Sequence, residues 1–82
     1  MTYLLRYIVA IHLGDYLSSP EPMKRDVESA ARSIGFKGTI DDPEQHAKFI
    51  LFDTEAKADE MVRLAKEIGF TTAGKLEQPA AI

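Results

Sequence analysis

The sequence predicts an α+β fold of βαββαβ order, in which a four-stranded antiparallel sheet carries two helices on one face. Three observations support this prediction. Apolar side chains recur at every second position over residues 3–13, as in a long strand. Two later segments carry apolar residues at helical spacing, and each of them ends at the tripeptide Ile-Gly-Phe. We expect one domain over residues 1–77, followed by a short tail at 78–82.

The first strand divides its side chains into two sets, because successive side chains of a strand point to opposite faces. The first set is apolar and is expected to face the core: Tyr3, Leu5, Tyr7, Val9, Ile11 and Leu13. The second set mixes apolar and polar residues and is expected to face away from the helices: Leu4, Arg6, Ile8, Ala10 and His12.

The first helix is predicted to follow a loop at 14–19. Ser19 is expected to cap the helix, Pro20 to take its first position, and Gly35 to end it after Ile34. The apolar stripe that would face the sheet consists of Met23, Val27, Ala30, Ala31 and Ile34.

The remaining predicted elements are strands at 36–40 and 45–52, a turn at 41–44, a helix that ends near Ile68, and a last strand at 70–77. Asp53 or Thr54 is expected to cap this second helix, and Gly69 to end it. Its inward stripe would be Ala58, Met61, Ala65 and Ile68. The strand at 45–52 is expected to be central, because residues 49–52 are apolar on both faces.

An internal repeat supports this order. Residues 31–36 align with residues 65–70 at an offset of 34, with four of six positions identical. Each half of the chain then reads as a strand, a helix, an Ile-Gly-Phe stop and a second strand. Two such units, interleaved, form the ferredoxin-like arrangement.

The composition excludes several classes of function. The 82 residues contain no cysteine, which excludes a disulfide scaffold, a thiol nucleophile and a thiolate metal site. A net charge of −3 argues against non-specific binding to nucleic acid. No apolar stretch reaches the roughly 20 residues that a membrane span requires. The apolar run at the N-terminus also lacks the preceding basic residues of a signal peptide, so we expect a cytoplasmic protein.

A metal site is one alternative for the sheet edge. We expect the first and third strands to be central, adjacent and parallel, so that their C-terminal ends lie at the same edge. His12, Asp15 and Asp53 would then lie together and hold a divalent metal, as in a metal-dependent nuclease. The more ordinary roles are a helix cap for Asp53 and a loop carboxylate for Asp15.

A second group of titratable residues lies at the predicted turn: Asp41, Asp42, Glu44 and His46. Their spacing does not match a calcium loop, which needs a longer series of oxygen ligands around a central glycine. Asp and Pro are also favoured by turn geometry itself. We therefore expect a structural turn.

The face of the sheet without helices is the most informative feature. If Phe49 and Leu51 face the core, this face would carry Leu4, Arg6, Ile8, Ala10, Lys48, Ile50 and Phe52. In the opposite register, Phe49 and Leu51 would be exposed instead. Both registers leave large apolar side chains on a face that is usually polar, which indicates an interface. A single aromatic residue among aliphatic ones is a poor platform for stacking RNA bases, so nucleic-acid binding is not expected.

The sequence is compatible with three functions. The first is a small non-catalytic regulator or adaptor that binds a protein partner, or a second copy of itself, through this face. An inhibitor or antitoxin-like modulator of a larger complex or nuclease would be of this kind. The second is the metal-dependent nuclease, and the third is a small-molecule sensor, for which Gly14 is the only glycine of the loop after the first strand. We predict no cofactor.

Overall fold

Four strands and three helices make up residues 6–78, the part of the chain that the computed structural model describes. In chain order they are β1 (Arg6–His12), α1 (Leu13–Ser18), α2 (Glu21–Ile34), β2 (Gly38–Asp42), β3 (Ala47–Phe52), α3 (Glu55–Ile68) and β4 (Gly74–Gln78). Within these residues, no helix is long and apolar enough to cross a membrane. The predicted strand residues 3–5 and most of the predicted tail lie outside the described residues.

The four strands form one antiparallel sheet in the order β2-β3-β1-β4, which confirms the α+β class. The expectation that β1 and β3 run parallel is wrong, because the two strands pair antiparallel. The reason lies in the connections. A tight turn makes β3 antiparallel to β2, while the helical crossover returns the chain so that β2 runs parallel to β1. A strand that lies between β1 and β2 must therefore oppose both.

A short helix, α1, replaces the loop that was predicted after β1. It begins at Leu13, which was expected to end the strand, and its Tyr16 side chain is buried in the core. Ser19 does not cap α2 as predicted. Its hydroxyl instead donates to the carbonyl oxygen of Tyr16 at 2.6 Å, and Pro20 takes the N-cap position. Ser19 therefore bonds to the end of α1 instead of to the start of α2.

The core lies between the sheet and the helices. The predicted stripes of the two long helices are confirmed, with Val27 and Ala31 of α2 and Ala58, Met61 and Ala65 of α3 buried. Residues that pack against them at the margin are Tyr7, Met23, Ala30, Ile34, Phe36, Val62 and Ile68. The small alanines of α3 let this helix lie close against β1, β3 and β4, and α2 packs against α3.

The helix-facing side of β3 differs from the first of the two predicted registers. Ile50 and Phe52 are each 1% exposed and belong to the core. They pair with Val9 and Tyr7 of β1, and residues opposite each other in an antiparallel pair share a face. Phe49 and Leu51 therefore lie on the other face. Since residues 49–52 are all apolar, their pattern alone could not show which set faces inward.

The two Ile-Gly-Phe stops share one hydrogen-bond pattern, which supports the internal repeat. Gly35 has φ 98° and Gly69 has φ 136°, both in the region that favours glycine. At the first stop, the amides of Gly35 and Phe36 donate to the Ala31 carbonyl at 2.9 and 3.0 Å. At the second, the two equivalent amides donate to the Ala65 carbonyl at 3.1 and 2.9 Å. Each half of the chain thus ends its long helix in the same way.

The assignment of the β3 faces predicts unequal effects of two neighbouring substitutions. Ile50→Ala should lower the free energy of unfolding by about 2–5 kcal/mol, because it leaves a cavity in the core. Leu51→Ala should cost clearly less, because Leu51 is only partly buried on the opposite face. Urea denaturation at low protein concentration measures both. A larger loss for Leu51→Ala would mean that the faces are inverted.

The positive φ angles of the helix stops predict that alanine is unfavourable there. Gly35→Ala should destabilise the fold by about 1 kcal/mol through backbone strain. Gly69→Ala should cost more, since its new Cβ would lie 2.8 Å from Cε of Met23. Gly74→Ala is the matched control, because it has no positive φ and no atom within 4 Å of the new Cβ. Thermal unfolding of the three variants gives the order, and equal midpoints would contradict the prediction.

Candidate functional site

The side of the sheet opposite the helices is here called the open face. Among the side chains that the structure describes, it carries three rows that run across the strands. The first row contains Gly38, Leu51, Ile8 and Leu76, in the order β2, β3, β1, β4. The second row contains Ile40, Phe49, Ala10 and Gly74. The third row contains Asp42, Ala47 and His12. The first two rows are entirely apolar, and polar residues begin at the third.

Exposure on the open face rises from the centre to the edges. Ile8, at the centre, is 5% exposed, although it is not a member of the core cluster on the other side. Ile40 on one edge strand is 50% exposed and Leu76 on the other is 48% exposed. Phe49 and Leu51 lie on β3, between the β2 edge and the centre, and are half-buried. An apolar surface therefore extends over the full width of the sheet.

The predicted interface residues divide between the two sides of the sheet. Ile8 and Ala10 lie on the open face, as expected. The placement of Lys48, Ile50 and Phe52 on that face is wrong, since all three point toward the helices. Leu4 lies outside the described residues, and only the backbone of Arg6 is described. The alternative register, with Phe49 and Leu51 outward, is the one observed.

Sequence reasoning missed Ile40 and Leu76, the two most exposed members of the open face. Each is the only large apolar residue of a short strand, and each stands two positions after a glycine, at Gly38 and Gly74. This shared Gly-x-Ile or Gly-x-Leu pattern places one apolar side chain outward on each edge. It is the signal that could have identified them.

On the helix side, Lys48 is part of a polar contact at the margin of the core. Its Nζ lies 4.7 Å from the centre of the Tyr16 ring and 3.0 Å from Oδ1 of Asp41. Burial raises the pKa of Tyr16, and the charges of Glu28 and Asp41 add to this effect. The Lys48 side chain is 13% exposed, so its charge is held by these partners rather than offered to a ligand.

The edge strand β4 is tied to α3 by Lys75. Its Nζ lies 2.8 Å from Oε2 of Glu55 and 2.8 Å from Oδ1 of Asp59. The hydrogen bonds to Asp59 and Glu55 raise the pKa of Lys75 above its usual range. The pairing joins the last strand to the helix layer from the side opposite the open face.

The structure does not bring the predicted metal ligands together. His12 lies beside Ala47 at the start of β3, whereas Asp53 follows Phe52 at the other end of that strand. Asp53 is paired with Lys57 at 3.1 Å and with Lys37 at 3.7 Å. Among the residues that the structure describes, no group of three or more His, Cys, Asp or Glu side chains could hold a metal ion.

His12 and Asp15 have a structural role at the start of α1. Nδ1 of His12 accepts a hydrogen bond from the backbone amide of Asp15 at 3.2 Å, as an N-cap does. The Asp15 carboxylate lies 3.6 Å from the same nitrogen. These contacts hold the turn between β1 and α1.

The acidic group forms a structural turn as expected, but the turn lies at 43–46 instead of 41–44, because Asp41 and Asp42 belong to β2. Oδ1 of Asp42 accepts from the amides of Glu44 and Gln45 at 3.0 and 3.2 Å, which is the pattern of an Asx turn. His46 has φ 53°, and its carbonyl accepts from the amide of Leu13 at 2.8 Å. The turn is thereby fixed to the start of α1.

No protein-family model matches this sequence, and no curated protein matches it. The function is therefore inferred from the geometry of the open face and its surroundings.

The ion pairs of Asp53 predict a measurable pH effect. The hydrogen bond from Lys57, with the charges of Lys57 and Lys37, holds the pKa of Asp53 below its usual value, and partial desolvation opposes this shift. A carboxyl whose pKa is lowered on folding stabilises the fold above its unfolded pKa, and this contribution is lost as the pH falls through the folded pKa. Lys57→Met should raise the pKa of Asp53 in a carboxyl NMR titration. Lys66→Met on the same helix is the control and should leave it unchanged.

Proposed function

We propose that this protein is a small non-catalytic regulator or adaptor that binds protein through its open face. The observation that carries the proposal is the apolar surface across all four strands, with Ile40 and Leu76 about half exposed at its two edges. An antiparallel sheet with helices on one side normally presents polar side chains on the other. Contiguous exposed apolar residues on a small domain usually mark an interface.

The energetics favour a partner that covers the whole face. Complete burial of a Leu or Ile side chain contributes about 1.5–3 kcal/mol, so the exposed halves of Ile40 and Leu76 would add roughly 1 kcal/mol each. Association itself costs at least about 4 kcal/mol. Phe49 and Leu51 must therefore be covered as well, which requires a broad and fairly flat partner surface such as another protein.

The residues of the open face and the charge of the chain also favour a protein partner over nucleic acid. In its described part, Phe49 is the only aromatic residue of the open face, which offers little stacking surface for bases. The chain carries a net charge of −3, which would repel a phosphate backbone.

We further propose that the fold is a ferredoxin-like βαββαβ arrangement with α1 inserted between β1 and the first long helix. The sheet order β2-β3-β1-β4, the helices on one side and the matching glycine stops support this assignment. In such an arrangement the sheet has one free side, which is the side that we assign to binding.

A pair of lysine substitutions tests the proposed function. Ile40→Lys combined with Leu76→Lys should leave the fold intact, because both side chains already reach solvent, but should abolish any complex that the protein forms with itself or with another protein. Leu17→Lys is the matched control, since Leu17 is 58% exposed and belongs to α1 instead of the sheet. The unmodified protein, the double lysine variant and the Leu17→Lys variant are compared by native mass spectrometry. Each is measured both after purification and after capture from its own cell extract.

Three outcomes would overturn the proposal. The first is a complex that persists in the double lysine variant but is lost in Leu17→Lys. The second is a protein that stays alone under every condition. The third is cleavage of RNA or DNA in the presence of Mg²⁺ or Mn²⁺ that Asp15→Asn abolishes.

A further inference from the structure

We propose that the partner on the open face is a second copy of this chain, related by a two-fold axis that lies in the interface and runs parallel to the strands. This inference rests on the proposed function and adds the identity and orientation of the partner. It is carried by the alternation of large and small residues on the open face, which the strand register fixes.

The two edge strands present large and small residues in opposite order. In the first row, β2 contributes Gly38 and β4 contributes Leu76. In the second row, β2 contributes Ile40 and β4 contributes Gly74. Each edge therefore has one projecting side chain beside one gap, and the gap on one edge shares a row with the projection on the other.

Rotation about an axis parallel to the strands, between β1 and β3, brings these features into contact. The β2 strand of the second copy then lies over β4 of the first, and its β3 lies over β1. Ile40 faces Gly74 of the second copy, and Leu76 faces Gly38 of the second copy. At the centre, Phe49 faces Ala10 and Leu51 faces Ile8 of the second copy. Three of the four kinds of contact thus set a large side chain against a small residue.

A two-fold axis across the strands fits the same face less well. It would also place Ile40 and Leu76 over glycines, but it would set Phe49 against Leu51 and Ala10 against Ile8. Packed sheets lie about 10 Å apart over their whole area. One central contact would then be overfilled while the other left a gap, so the parallel axis gives the more even layer.

The size of the face sets the strength of the contact. Four strands spaced about 4.8 Å apart, each about five residues long, give a face of roughly 19 by 17 Å. The projected area is therefore about 320 Å², well below the ~800 Å² of accessible surface that each partner buries in a standard interface. We therefore expect a dimer that dissociates in the micromolar range or above and exchanges subunits, rather than an obligate one.

Mixed thiol variants test both the partner and the axis. The chain has no cysteine of its own, so each introduced thiol is unique. Chains with Ile40→Cys are mixed with chains with Gly74→Cys and treated with a bis-maleimide that bridges the ~10 Å between packed sheets. The proposal predicts cross-linked dimers in the mixture and only background cross-linking in each variant alone. Cross-linking of Ile40→Cys with itself would indicate the axis across the strands and would overturn the proposed orientation.

Both thiol variants are expected to fold. Ile40 is half exposed, and a Cβ at Gly74 would meet no atom within 4 Å. Circular dichroism and the urea midpoint check this before cross-linking. Adding Leu76→Lys to both chains should reduce the yield of cross-linked dimer at least tenfold, because a charge would then face Gly38 of the second copy.

Sedimentation equilibrium of the unmodified protein, from about 10 to about 500 µM, supplies the second readout for this weak interface. A concentration-dependent dimer that the Ile40→Lys and Leu76→Lys pair removes would support the proposal. A monomer over the whole range would overturn the second copy as partner. That result would leave the proposed function standing. The proposed function would be overturned only if no other protein bound the open face either.

Discussion

The antiparallel pairing of β1 with β3 is the interaction on which the rest of the structure depends. Its register places Val9 opposite Ile50 on the side of the helices, and it places Ile8 opposite Leu51 on the other side. A shift by one residue would move every side chain of the shifted strand to the opposite face. Lys48 would then turn to the open face if β3 shifted, and His12 would turn toward the helices if β1 shifted. The core, the open face and the separation of His12 from Asp53 all follow from this one pairing.

The repeat in the sequence also appears in the surface that the sheet presents. A half-turn about the normal to the sheet exchanges β2 with β4, and it brings Gly38 onto Gly74 and Ile40 onto Leu76. The central strands break this symmetry, because Phe49 falls on Ile8 and Leu51 falls on Ala10. The residues of the central strands therefore differ between the two orientations of the sheet, whereas those of the edge strands are equivalent in both.

Features determined by neighbouring residues could be predicted from the sequence, whereas those determined by distant contacts could not. The stripes of α2 and α3 and the stops at Gly35 and Gly69 were predicted, because helical spacing and a left-handed residue are local properties. Two registers stayed open for β3, because residues 49–52 are apolar on both faces and carry no alternation, and the structure has the second of them. The helix α1 could not be predicted, because Tyr16 and Leu13 stabilise it through the core and the turn at 43–46 rather than through its own sequence.

The charged residues on the helix side of the edge strands disfavour the addition of further strands to this sheet. Asp41 on β2 bonds to Lys48, and Lys75 on β4 bonds to Glu55 and Asp59. A further strand added to either edge would cover these ion pairs and remove them from water, which is unfavourable. Fibre-like stacking of chains edge to edge is thereby disfavoured. If the protein associates through the open face as proposed, a complex of limited size is therefore favoured over open-ended addition of strands.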